Sequence, residues 1–340
     1  MRKEAVFSSS EDRIRASQAS VAGAGLSIVP RRNPNWASRA AESLFAVLFP
    51  ADCRICAAPL VRISRLPVCS ECLEQILPVR GQLCSVCGER MLSPHVPAAS
   101  DGQLLCPVCQ HVEQRFAKAV AYGSYQGGLR ELVHLLKYGG VRPASGVLGR
   151  MLAEAITARG LFEESGLEST GLESTPVLVV PVPLHLSKRR QRGFNHAELI
   201  ARVALKLLVA DRRVARMGMP RNGMLPNEMV LGANVLERTR ETQSQIGLTI
   251  HQRQENVRGA FSVRRAQEVN GREVLLVDDV YTTGATVSEC ARVLRRAGAT
   301  KVWVATVART LKMASKYGEM KPAVGVTADD SEAPMAKAVS

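Results

Sequence analysis

Aromatic residues are scarce in this 340-residue sequence: 7 Phe, 5 Tyr and 2 Trp, or 4% of the chain. A core has therefore to be built from Leu, Val and Ala, and the stacking rings that grip a single nucleic-acid strand are few. No stretch approaches the roughly 20 continuous apolar residues that cross a bilayer. The amino-terminal region also lacks a secretory pattern, because Glu11, Asp12 and Arg13 interrupt it before any apolar run. These two absences predict a cytoplasmic protein without a transmembrane segment. Residues 1–40 have no sustained hydrophobic periodicity and read as a disordered leader, and residues 311–340, rich in Lys, Ala, Glu and Pro, read as a flexible tail.

Between these ends the chain is long enough for two modules, and 46% hydrophobic residues provide for a buried core. The net charge of +14 is uneven: Pro183 to Arg265 holds 16 Lys or Arg against 6 Asp or Glu. A concentrated positive field attracts nucleic acid or a small phosphorylated ligand, and it can also be a solvated surface. Composition does not choose among the three.

Eight of the nine cysteines form four C-x-x-C pairs: Cys53 with Cys56, Cys69 with Cys72, Cys84 with Cys87, and Cys106 with Cys109. Each such turn points two thiolates at one centre, so the eight suit two four-coordinate zinc ions. A disulfide framework uses the same residues but conflicts with a reducing compartment. Four sulfur ligands leave no open position, so the zinc is expected to be structural. A sequential grouping, which we favour, and a cross-braced one are both open. Residues 41–112 read as a zinc-ribbon module that begins with a short apolar helix-like stretch, Ala41 to Pro50.

From residue 113 the pattern becomes that of an α/β domain, predicted to run to residue 310. Ala119 to Tyr125 resembles a strand. Gly128 to Tyr138 and Leu148 to Ala158 read as helices, the first with Leu129, Leu132, Val133 and Leu136 on one face. A polar insert with two copies of GLEST, at 166–170 and 171–175, reads as a surface loop. The strand Val177 to Val180 follows, then a basic turn with Lys188, Arg189, Arg190 and Arg192, then a helix from about Asn195 to Leu208.

Val274 to Thr286, VLLVDDVYTTGAT, carries the most specific signal. Its unbroken apolar run suits a central parallel strand covered on both faces, and ligands of open α/β sheets bind beyond the carboxyl ends of such strands. Asp278 and Asp279 sit at that end. Thr282, Thr283, Gly284, Ala285 and Thr286 then offer hydroxyls, backbone N–H groups and a helix amino terminus, which together can cradle a phosphate. The helix is supported by Val287, Cys290, Ala291 and Leu294 at helical spacing. Cys290, on that stripe, reads as a small core residue. A strand from Lys301 to Val307 completes a βαβ unit.

The strand, the Asp pair and the Thr-Thr-Gly-Ala-Thr loop resemble the signature of type I phosphoribosyltransferases. Together with the four C-x-x-C pairs, KYGG at 137–140, PVPLH at 181–185, RQRGFNHAELIA at 190–201, RTRETQSQ at 238–245 and QRQENVRGAF at 252–261, they resemble the ComF family. The resemblance covers about Ser43 to Ala308. It implies a parallel sheet flanked by helices behind a small zinc-ribbon module, and a role in natural competence, handling incoming single-stranded DNA beside a helicase-like translocase. It further implies that Asp278 and Asp279 hold the ribose hydroxyls of phosphoribosyl diphosphate and that Thr282 to Thr286 bind its 5-phosphate. The turn after Val180 would be the pyrophosphate loop, with Mg²⁺ as cofactor. Arg238, Arg240, Gln243, Arg253 and Asn256 would belong to a mobile loop closing over the ligand. Pentosyl transfer, ligand sensing and single-strand binding are all compatible with these expectations.

Overall fold

A strand that is apolar at every position needs cover on both faces, and the three longest such runs lie side by side in the centre of the molecule. The computed structural model describes residues 51–60, 64–91, 103–162, 175–216, 228–242 and 249–311. Five parallel strands, β1 (Lys118–Ser124), β2 (Val177–Pro181), β3 (Met229–Leu231), β6 (Glu273–Tyr281) and β7 (Lys301–Arg309), form a sheet in the order β1-β7-β6-β2-β3. A separate antiparallel pair, β4 (Leu236–Arg238) with β5 (Phe261–Val263), stands beside it.

Because successive side chains of a strand face opposite ways, the sheet divides one core into two. Val179, Leu275, Val277 and Trp303 pack on one face, under helices α3 (Gly127–Lys137), α4 (Ala144–Ala158) and α6 (His196–Arg216). Leu178, Val180, Val274, Leu276 and Val304 pack on the other, against helix α9 (Ala285–Arg296) and the β4–β5 pair. Helices α4 and α6 approach closely at Gly149, where a Cβ would lie 2.5 Å from the Cβ of Val203. Any larger residue there would push the two helices apart.

The two ribbons repeat one another. Asp52 bridges Pro59 around Cys53 and Cys56, as Leu83 bridges Arg90 around Cys84 and Cys87. In the first turn Cys53 N–H donates to Ala58 O at 2.8 Å, and in the second Cys84 N–H donates to Glu89 O at 2.8 Å. The later C-x-x-C of each ribbon starts a one-turn helix, α1 (Ser70–Glu74) after Cys69 and α2 (Pro107–His111) after Cys106. The chain between the ribbons and the first turn of the second run along the outer edge of β1: Val79 N–H donates to Tyr122 O, and Ala119 N–H donates to Val86 O, both at 2.7 Å.

Several expectations move. The basic stretch read as a turn is a helix, α5 (Leu186–Arg192), capped by the His185 side chain and ended by Gly193 at φ +74°. The following helix runs on to Arg216, three-residue strands stand at 229–231, 236–238 and 261–263, and a short helix α8 (Ala266–Val269) precedes β6. Part of the stretch read as a mobile loop is helix α7 (Ile250–Val257), opened by a capping box at Thr249. The leader, the Ala41–Pro50 stretch, residues 166–174 of the GLEST insert and residues 312–340 of the tail lie outside the described residues, as does Gln243.

Candidate functional site

Strand β6 delivers two adjacent carboxylates to the carboxyl edge of the sheet, and its alternation sends them to opposite faces. Asp279 turns inward and is buried, with Oδ2 2.7 Å from Lys137 Nζ and 2.8 Å from His196 Nε2. Lys137 is the last residue of α3 and His196 the first of α6, so two helices converge on one oxygen. Arg192 Nη1 lies 3.4 Å from His196 Nδ1, while the other ring nitrogen, Nε2, faces Asp279. Burial alone would raise the Asp279 carboxyl, but the charge of Lys137 and then His196 hold it well below the usual range. Asn195 fixes the start of α6 by donating to Val182 O at 3.0 Å and accepting from Ala197 N–H at 3.1 Å.

Asp278 behaves oppositely. Its Oδ1 accepts the Asp279 N–H at 2.9 Å, and burial followed by the neighbouring carboxylate pushes it up to about 7. Among the described residues no cation makes an ion pair with it, and it lines the cleft.

That cleft is lined by Asp278, Asp279, Thr282, Gly284, Ala285 and Thr286 along one side, and by Val182, Pro183 and Leu184 after β2 along another. Lys137, Lys188, Arg192, His196 and Arg238 bring its cationic and donor groups. Burial, then the charges of Arg238 and Arg192, push the Lys188 ammonium down, against a smaller opposing pull from Glu241. Gly284 adopts φ +80° and caps helix α9, and a Cβ there would overlap the Tyr281 hydroxyl. The Thr283 Oγ1 beside it is buried without a hydrogen-bond partner. A loop of N–H groups and hydroxyls at a helix amino terminus, facing Lys and Arg, is suited to a phosphorylated ligand.

Of the described residues expected in the mobile loop, only Arg238 reaches the cleft. Its guanidinium lies 5.3 Å from the Phe261 ring centroid and donates to Thr242 Oγ1. Arg240 instead donates to the carbonyls of Asn256 and Arg258, at 3.0 Å each, and Arg253 lies on α7. Lys137, Lys188, Arg192 and His196 were not singled out as site residues. The KYGG and RQRGFNHAELIA segments were the signal, but nothing local in them says that two helix ends meet one Asp.

Among the described residues three groups of ligating side chains converge: Cys53, Cys56, Cys69 and Cys72; Cys84, Cys87, Cys106 and Cys109; and His196 with Asp278 and Asp279. The grouping of the cysteines is sequential. Zinc–sulfur bonds of about 2.3 Å in a tetrahedron place sulfurs roughly 3.8 Å apart. Cys56 and Cys69 are 3.7 Å apart and Cys87 and Cys106 3.6 Å, which fits a shared ion and is far beyond a disulfide bond. Backbone N–H groups of Ile55 and Cys69 point at Cys53 Sγ, at 3.4 and 3.3 Å, as they do toward a thiolate. Cys290 is fully buried in the core beneath α9.

A family model described as a phosphoribosyl transferase domain matches residues 213–335, and one described as a double zinc ribbon domain matches residues 44–110. The DNA utilization protein YhgH of Salmonella typhimurium is 30% identical over 263 residues, covering 77% of this chain and 98% of that protein. Its namesake from Escherichia coli is 29% identical over 262 residues, with the same shares. Competence protein F of Haemophilus influenzae is 27% identical over 252 residues, 73% of this chain and 93% of that protein.

Proposed function

We propose, from the premise that this chain belongs to the ComF family of DNA utilization and competence proteins, that its cleft binds phosphoribosyl diphosphate in the service of DNA uptake in the cytoplasm. The observation that carries this reading is the pairing of the raised carboxylate of Asp278 with the hydroxyl-rich Gly284 turn on the same cleft. In this reading Thr282 to Thr286 hold the 5-phosphate, and Asp278 accepts from a ribose hydroxyl. Asp279, pinned by Lys137 and His196, keeps the second position beside it. The turn Val182–Leu184 with Lys188, Arg192 and Arg238 receives the pyrophosphate, whose leaving charge such cations stabilise.

Mg²⁺ suits this site as a ligand-borne ion: Asp279 Oδ2 already meets two cationic or donor groups, which leaves Asp278 and the ligand's own phosphates to hold it. When bound, it would spread the negative charge of the pyrophosphate. The transfer open to such a site breaks the bond from the anomeric carbon to pyrophosphate oxygen and forms one to an acceptor nitrogen. Pyrophosphate leaves with the bonding electrons and the nitrogen loses a proton.

A second reading, contact with single-stranded DNA handed on by a helicase-like translocase, is supported by α5. Arg192 lies over the exposed Tyr138 ring, 5.1 Å from its centroid, at the mouth of the cleft. Calorimetric titration of phosphoribosyl diphosphate with Mg²⁺, and in parallel of single-stranded DNA, separates the two. Ligand binding by the wild type that disappears in Asp278→Asn with Asp279→Asn supports the phosphoribosyl reading. Binding of DNA alone, equal in both proteins, overturns it.

A further inference from the structure

Arg309, the last residue of β7, is a long cationic side chain in the interior, and at 4% exposure it cannot be a solvated surface charge. Its guanidinium donates to Cys87 O, to Cys87 Sγ at 3.6 Å and to Glu89 Oε2 at 2.7 Å. All three acceptors lie on the first cysteine turn of the second ribbon. The flat face of the same group lies 4.3 Å from the centroid of the Tyr281 ring, which Phe116 meets edge-on at 6.3 Å. Strand pairing holds the two residues in register, since Arg309 opposes Tyr281 and Thr310 N–H donates to Tyr281 O at 2.9 Å. The Tyr281 hydroxyl in turn lies directly beneath Gly284, filling the space a Cβ would need. An unbroken chain of contacts therefore runs from Cys87 through Arg309 and Tyr281 to the turn that caps α9.

We infer that Arg309 is a positioning residue through which zinc at Cys84, Cys87, Cys106 and Cys109 and a phosphate on the Gly284 turn strengthen each other's binding. The inference rests on the phosphoribosyl reading of the cleft. A bound ion fixes the cysteine turn, because a four-thiolate centre is what gives so short a segment its conformation. The fixed turn presents the Cys87 and Glu89 acceptors that aim the guanidinium, whose planar fork needs several acceptors at set positions. The aimed guanidinium holds the ring, and the ring is the floor of the turn. The first site lies in the other core, with Cys53 and Cys72 among residues that include neither Tyr281 nor Arg309, and it serves as an internal control.

The test uses the full zinc-loaded chain in equilibrium competition with a chromophoric chelator, with and without saturating phosphoribosyl diphosphate and Mg²⁺. Cys53→Ser with Cys56→Ser identifies the signal of the second site. The expected result is that ligand raises zinc affinity at the second site by roughly fivefold or more, the lower end of usual site–site coupling, and leaves the first unchanged. Zinc taken up by the ligand itself would weaken both sites. In Arg309→Met, or in Tyr281→Leu should that variant not fold, the ligand-dependent gain vanishes while both sites still hold zinc. Ligand binding by calorimetry without a change in zinc affinity at the second site overturns the coupling alone. No ligand binding at all overturns the coupling and the phosphoribosyl reading together.

Discussion

The first ribbon presses Cys53, Val68, Cys72, Leu73 and Ile76 into the sheet face that carries Leu275 and Val277, whereas the second presses Cys84, Cys87 and Cys106 into the face that carries Val274 and Leu276. Asp279 turns toward the helices of the first face and is neutralised there by Lys137 and His196. Asp278 turns the other way and carries a raised carboxyl. One repeated motif thus meets two surroundings. The first ribbon supports the start of α3, where Gly128 packs on Ile76, and so reaches the cleft only by way of a helix that ends in Lys137. The second reaches the Gly284 turn through Arg309 and Tyr281. What this teaches is that a module whose ligands are wholly structural can still differ, site by site, in what it holds in place.

The largest effects come from removing metal one site at a time. Structural zinc sites of this kind are worth about 10–16 kcal/mol in small domains, so Cys53→Ser with Cys56→Ser and Cys84→Ser with Cys87→Ser should each lose one ion. Metal analysis of the wild type should give two equivalents. Only loss of the second ion should lower phosphoribosyl diphosphate affinity, by roughly fivefold or more. Equal affinities in the two variants would break the comparison.

Next in size is Lys137→Met on the first face. Removing one partner leaves a buried carboxylate short of its counter-charge, at a cost of about 3–5 kcal/mol in unfolding free energy. Denaturant titration at unchanged m-value measures it, and a loss below about 1 kcal/mol would contradict the burial assigned to Asp279.

The two carboxylates should also respond to pH in opposite senses. A raised folded-state value means that folding takes up a proton at Asp278. Its contribution therefore turns unfavourable as pH climbs from the ordinary value of 3.8 and levels off above about 7. Thermal melts of the ligand-free protein should accordingly show Asp278→Asn gaining on the wild type across that window. Asp279, depressed in the folded state, contributes stability that is present at neutral pH and is lost as pH falls, so Asp279→Asn should melt lower than wild type at neutral pH.

The smallest effect separates the two cysteine turns. Ala57 sits at φ +59° where the second ribbon has Gly88 at φ +71°. The left-handed strain on an alanine is about 1–2 kcal/mol and the extra chain entropy of glycine about 0.5–1, so Ala57→Gly should stabilise by about 1 kcal/mol or less. Gly88→Ala should destabilise, since its Cβ would also meet Ala119 O at 3.0 Å.

The features readable from sequence were those whose parts lie close together along the chain. The C-x-x-C turns, the β6 run and the Thr/Gly loop each carry their geometry within a dozen residues, and the Leu stripe of α3 shows its face directly. Asp279's partners were hidden because Lys137 and His196 come from distant helix ends and meet only through the fold. Helix α5 was hidden because four basic residues in seven leave no apolar period to read. Strands of three residues, such as Leu236–Arg238, are too short for alternation to show. Arg309 lies two residues beyond the strand read as Lys301 to Val307, and only the position of the second ribbon reveals its partners.

The measurement that bears most directly on the central claim is binding of phosphoribosyl diphosphate with Mg²⁺ to Gly284→Ala, with metal content determined on the same sample. A side chain at φ +80° that overlaps the Tyr281 hydroxyl must displace the turn, so binding should be lost while two zinc ions remain. Wild-type affinity in that variant would mean that the turn is not the phosphate cradle.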